Sequence, residues 1–236
     1  MQNVSAKRAD NITCDEEERQ RMGYRIETAF RFAEDADKHV LRRDAEIWRA
    51  DTRLATLTYG DAATIWRVNL GWRRSNPSEM PGFVLDLDRG YWASRAADES
   101  DEQDPMSQRR QRVVPFVEDY KNALLFWPGT PLSLGESASL QSALKEAIQK
   151  TYQLEPSELA VLPVPDRDTR RAILLYEASE GGAGVLRHLV DDPEALPRVA
   201  TEALRVAHFD PESLADLGAE QCGAACYDCL LDYGNQ

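Results

Sequence analysis

Alternation is the dominant pattern in the first third of the chain. The runs GYRIETAFRF (23–32), LATLTYG (54–60), ATIWRVNLGW (63–72) and GFVLDL (82–87) place apolar side chains on every second residue and are rich in β-branched and aromatic types. That period predicts half-buried strands of an antiparallel sheet, arranged as a meander. YGDA (59–62) and RRSNPSEMPG (73–82) read as the turns between them. The second half changes period. ASLQSALKEAIQKTYQL (138–154) sets Leu140, Ala143, Leu144, Ala147, Ile148 and Tyr152 three and four residues apart, which predicts an amphipathic helix. ELAVLPVP (158–165) and RRAILLYEA (170–178) predict a hairpin closed by DRDT, and two further helices follow in EGGAGVLRHLVDD (180–192) and PEALPRVATEALRVAHF (193–209).

Between the two regimes lies SRAADESDEQDPMSQRRQR, too polar to order itself by burial. VVPFVEDYKNALLFW (113–127) after it reads as two short strands broken near Glu118 to Lys121. The expected fold class is therefore α+β: an N-terminal antiparallel β-rich subdomain (1–94), a polar linker or loop (95–112), and a module (113–236) of helix, β-hairpin and two helices, closed by a cysteine knuckle.

Charge sharpens this division. The net charge is −13, yet residues 1–94 carry 15 basic against 16 acidic side chains, while residues 95–236 carry 13 against 25. Phosphate neutralisation supplies most non-specific nucleic-acid affinity, so the second half is a poor grip on DNA. The arginines between Arg19 and Arg53 could form a local basic surface, or simply pair with the acids among them. No apolar run is long enough to span a membrane and the N-terminus lacks a signal-peptide pattern, so a cytoplasmic protein without a membrane partner is expected.

Three of the four cysteines, Cys222, Cys226 and Cys229, fall within eight residues. In a reducing compartment this spacing points to a structural zinc ion, which needs four ligands. The residues following Tyr176 offer a second feature, Glu177 and the glycines Gly181, Gly182 and Gly184. A phosphate cradle at a helix start is one reading, and a tight turn between strand and helix is the other. The chain has no Walker lysine and no DEAD/DEAH-type box, and its three histidines lie in no triad-like context, so no catalytic residue is assigned. A metal-dependent nuclease or hydrolase using Glu177 beside the Gly181–Gly184 turn is kept as an alternative, as is a pure protein-interaction subunit with an acidic surface.

YEASEGGAGVLRHL followed by CGAACYDCLLDYGNQ resembles the zinc-binding domain of MrfA-type helicases, a helicase-associated domain of unknown function. SLQSALKEAIQKTYQLEPSEL is similar to the first helix of that domain, and ITCDEEERQRMGYRIETAFRF to the β-rich segment that precedes it in superfamily-two helicases. The resemblance implies a split or truncated C-terminal part of a DNA helicase or translocase, or a motor-less subunit of the DrmB type from DISARM systems. DNA repair or anti-phage defence, a helicase motor as partner, DNA reached through the complex, and one structural zinc all follow from it as expectations. The chain ends at Gly234-Asn235-Gln236, where members of the family run on, which favours a split or truncated product. The family knuckle has a cysteine where this chain has Glu220. The fourth ligand is expected from Cys14 or Glu220, ahead of His208; a residue beyond Gln236 and a degenerate, metal-free site are the remaining alternatives.

Overall fold

The computed structural model describes residues 23–72, 80–92, 109–166, 168–179, 181–218, 222–223, 225–226 and 229–231. Among the described residues it is α+β, with a β-rich first part and three helices. The chain forms two compact units, residues 1–29 with 66–118, and residues 30–65 with 119–236. Strands β1 (Tyr24–Arg31), β3 (Thr52–Trp72) and β7 (Phe116–Pro128) contribute residues to both.

In the first unit, β4 (Phe83–Asp86) lies between β5 (Tyr91–Trp92) and β6 (Arg110–Val113) in a three-stranded antiparallel sheet. Aromatic packing takes the place of a deep aliphatic core. Tyr24 stacks on Trp72 with ring centroids 4.7 Å apart, and Phe83 meets both edge-on. Such ring pairs add about 0.5–1.5 kcal/mol each beyond simple burial. Gly82 has φ +98, and a Cβ there would overlap the Val113 carbonyl, so the turn into β4 requires glycine.

The second unit is built on a sheet of order β1-β3-β7-β9-β8, with β2 (Arg43–Arg49) also paired on β3. Strands β8 (Leu159–Val164) and β9 (Ala172–Glu177) form the expected hairpin in full register, and β9 pairs with β7 over Ala123–Phe126. The core is formed by Leu57, Leu124, Ile173 and Leu175 from the strands with Ile148, Leu186 and Val199 from the helices. Fully burying one such side chain contributes about 1.5–3 kcal/mol.

Helix α1 (Leu134–Tyr152) begins four residues earlier than its apolar spacing predicts, because Ser133 and Glu136 make a reciprocal capping box. It ends at Gln153, which takes the left-handed conformation at φ 55. Helices α2 (Val185–Asp191) and α3 (Ala195–Val206) follow, and α3 packs along α1.

Several expectations are corrected. LATLTYG and ATIWRVNLGW belong to one 21-residue strand, β3. Instead of a reversal at YGDA, Ala62 adopts φ 50 and the strand continues past it. The expected break between Glu118 and Lys121 is likewise absent, and β7 runs through it. Here Lys121 Nζ donates to the Ala178 carbonyl at 2.8 Å and Asn122 Nδ2 to Glu177 Oε2 at 3.0 Å, so the polar residues of the run have partners inside the fold. Arg110 to Arg112, the end of the expected polar linker or loop (95–112), lie in β6.

Candidate metal centre

The cluster is assembled by the way α3 ends. After the C-cap Ala207, His208 leaves the helix with φ 64 and its N–H donates to the Arg205 carbonyl. A short loop then doubles back: Phe209 bridges to Asp216, and Leu217 N–H donates to His208 O at 2.7 Å. Asp210 fixes the tip by accepting from Ser213 N–H and Oγ and from Glu212 N–H, with Ser213 chiefly responsible for holding its carboxyl below the ordinary aspartate value. Gly218 passes so close to the His208 side chain that a Cβ would lie 2.8 Å from its Cβ, tighter than real contacts allow. From there Cys222 N–H donates back to Gly218 O at 2.7 Å, which places the first cysteine beside the histidine.

Four candidate ligand atoms converge. His208 and the thiols of Cys222, Cys226 and Cys229 offer one atom each, all within 4.8 Å of one another. His208 Nε2 is 3.2 Å from Cys226 Sγ, and Cys222 Sγ is 3.7 Å from Cys229 Sγ. A tetrahedral zinc with Zn–S near 2.3 Å and Zn–N near 2.05 Å needs S–S edges of about 3.8 Å and N–S edges of about 3.6 Å. The cluster fits that ion in donor type, donor number and size.

Its electrostatics have the same sense. Cys229 Sγ accepts from Cys226 N–H at 3.0 Å, and Cys229 N–H donates to Cys226 O at 3.1 Å, the tight turn that a Cys-x2-Cys pair needs. Burial pushes the Cys222 thiol up to about 12, with the neighbouring sulfurs adding to it. At Cys229 burial also raises the thiol, but hydrogen bonds from the Cys226 backbone and side chain, Leu230 N–H and Cys222 outweigh it and leave it lowered. Packed thiols that share protons among themselves are thiolate ligands once a divalent cation replaces those protons. A second grouping, Asp35, Asp37 and His39, is exposed and held together by an Asx turn.

The sequence places Cys14 and Glu220 ahead of His208 as the fourth ligand. Both lie outside the described residues, whereas His208 is brought to the three cysteines. The signal for it in the sequence is slight: one histidine at the end of a helix, 18 residues before Cys226.

Glu177 and the glycines form a different kind of site. Glu177 is 1% exposed and ends β9 with its carboxylate turned inward. Oε1 accepts from Leu186 N–H at 3.0 Å, and Oε2 from Gly184 N–H at 3.2 Å and Asn122 Nδ2 at 3.0 Å. Gly181, Gly182 and Gly184 all have positive φ, and a Cβ on Gly182 would overlap Glu177 Oε2. The anion position at the start of α2 is thus filled by the protein's own carboxylate. This is the tight-turn reading, and it corrects the phosphate-cradle one. It also gives the hydrolase alternative no support, since Glu177 has no face open to substrate.

A mixed α+β module closed by three thiols and an imidazole defines a structural zinc module. Residues 140–230, from within α1 to the last cysteine turn, match the family described as the MrfA Zn-binding domain. Among solved structures the chain is similar to the DUF1998 helicase MrfA, crystallised bound to DNA. The TM-score is 0.45 with 11% sequence identity, over 89% of this chain and 23% of that one. The chain therefore spans about a quarter of that protein's length. No curated protein matches the chain. Among the described residues, no helix is long and apolar enough to cross a membrane.

Proposed function

We propose that this chain is a non-catalytic, zinc-binding accessory module of a DNA helicase or translocase. It acts in the cytoplasm, in DNA repair or anti-phage defence, beside an ATPase motor carried on another segment or subunit. The observation that carries the reading is the convergence of His208, Cys222, Cys226 and Cys229 inside a segment matched by the MrfA Zn-binding family. Those four side chains hold one Zn2+, with His208 taking the place that a fourth cysteine has in the family knuckle. A closed four-ligand site leaves no position for substrate, which marks the ion as structural. It ties the end of α3 to the C-terminal turn and so fixes the surface that the module offers to its partner.

The test is co-purification of the zinc-loaded chain with the helicase polypeptide encoded beside it. A stable complex with ATPase activity confined to the partner supports the reading. ATP hydrolysis by the isolated chain, or no association with the motor, contradicts it.

A further inference from the structure

The four donor atoms of the cluster sort into two close pairs. His208 Nε2 lies against Cys226 Sγ at 3.2 Å, and Cys222 Sγ against Cys229 Sγ at 3.7 Å. The two sulfurs of the second pair need to close by about 1.7 Å to reach the S–S bond length of about 2.05 Å. Cys226 meets Cys229 differently, through its backbone N–H, which donates to Cys229 Sγ at 3.0 Å while its own sulfur sits beside the imidazole. Exposure then separates the partners. Cys229 is buried at 6% exposure, whereas Cys222 is half-buried, so a small solute arriving from solvent meets Cys222 first.

We propose that the metal centre is also a redox switch, in which a peroxide joins Cys222 to Cys229 and zinc is released. The inference rests on the four-ligand reading just given. Held as a thiolate ligand, Cys222 attacks one oxygen of hydrogen peroxide. The O–O bond breaks, hydroxide leaves and takes a proton from solvent, and Cys222 becomes a sulfenic acid. The Cys229 sulfur then attacks the Cys222 sulfur. The S–S bond forms, the S–O bond breaks, and a second hydroxide leaves as water after taking a proton. The two sulfurs give up two electrons, and the peroxide accepts both.

After this step only His208 and Cys226 remain as donors, half of the set that a tetrahedral structural ion requires. The tie between the end of α3 and the C-terminal turn is lost with the ion. Disulfides in a reducing compartment are characteristically transient and redox-sensing, so a thiol reductant should restore the ligands.

The experiment treats the full, reduced, zinc-loaded chain with hydrogen peroxide. Released zinc is followed by the absorbance of a chromogenic chelator, and the cysteines are mapped by differential alkylation and mass spectrometry. Release should approach about one zinc per chain, with loss of about two of the four thiols. The label added after reduction should fall on Cys222 and Cys229, and the label added before it on Cys14 and Cys226. Dithiothreitol with fresh zinc should return the ion. Cys226→Ser removes a ligand but neither partner, so it should still form the Cys222–Cys229 bond whatever its zinc content. Cys229→Ser should instead leave a sulfenic acid on Cys222 that dimedone traps.

Zinc retained after oxidation, a bond from Cys226 to either neighbour, or sulfinic acid without any disulfide would overturn the switch. Zinc content before peroxide is added reads the site itself. A reduced chain without zinc strikes the four-ligand reading and the switch with it, whereas a loaded chain that keeps its ion under peroxide strikes the switch alone. A loaded chain that switches but never associates with a motor strikes the accessory-module reading and leaves the switch standing.

Discussion

His208 Nε2 lies 3.2 Å from Cys226 Sγ, although the two residues belong to different segments, one leaving a helix and the other within the terminal cysteine turn. The contact converts a three-cysteine run into a four-donor cluster. Replacing His208 with alanine should therefore lower zinc affinity by more than the about 10- to 100-fold that loss of an outer-shell partner costs. Competition with a chromogenic chelator measures it.

Zinc binding should also depend on pH. The ligands bind as thiolates and neutral imidazole, so each ion displaces protons, and affinity must rise with pH. Burial holds the Cys222 thiol up to about 12, so without metal this group stays protonated at neutral pH and gives its proton up on binding. Titration of zinc into metal-free protein in buffers of different ionisation enthalpy should register proton release at pH 7. No release would mean that the thiols are not ligands.

Gly182 and Glu177 make a second set of expectations. Alanine at position 182 would meet the Glu177 carboxylate and would have to hold φ 67. Strain of this kind costs about 1–3 kcal/mol, which in a chain of this size lowers Tm by roughly 2–12 °C. Glu177→Ala removes the acceptor for Leu186 N–H, Gly184 N–H and Asn122 Nδ2, and should cost about 1–3 kcal/mol or more. Thermal unfolding followed by circular dichroism reads both. A stable Glu177→Ala variant would show that the carboxylate is not a structural pin.

The capping box of α1 gives a pH-dependent prediction. The Ser133 backbone N–H and side chain lower the Glu136 carboxyl from its ordinary 4.5. A depressed folded-state value means the contribution is complete above the unfolded value and is lost as pH falls through the folded one. Glu136→Ala should therefore lower Tm at pH 7 and markedly less at pH 2–3, where the wild-type carboxyl is protonated. Melting curves of the two proteins at both pH values make the comparison.

Much of the second unit was legible in the sequence because its signals are local. The 3.6-residue period gave α1, alternation with a short polar turn gave the β8–β9 hairpin, and glycine-rich and Pro-Glu segments marked the starts of α2 and α3. What escaped depends on contacts between distant segments. RDAEIWR reads as a charged stretch, yet Ala45 and Ile47 point inward opposite Leu57 and Ala55 and make it strand β2. YGDA has turn composition, but the strand passes through it with one residue at positive φ. The cysteine knuckle was visible from spacing alone. His208 stood among the candidates only behind Cys14 and Glu220, because its approach depends on the loop 208–217 folding back and on Gly218 leaving room beside it.

The most direct test of the metal centre is the zinc content, by mass spectrometry, of unchelated wild-type protein and of His208→Ala, Cys14→Ser and Glu220→Ala. The expected result is about one zinc per chain in the wild type, in Cys14→Ser and in Glu220→Ala, with the ion lost or sharply reduced in His208→Ala. Full zinc in His208→Ala with loss in either of the other two, or no zinc in the wild type, would contradict the four-ligand site.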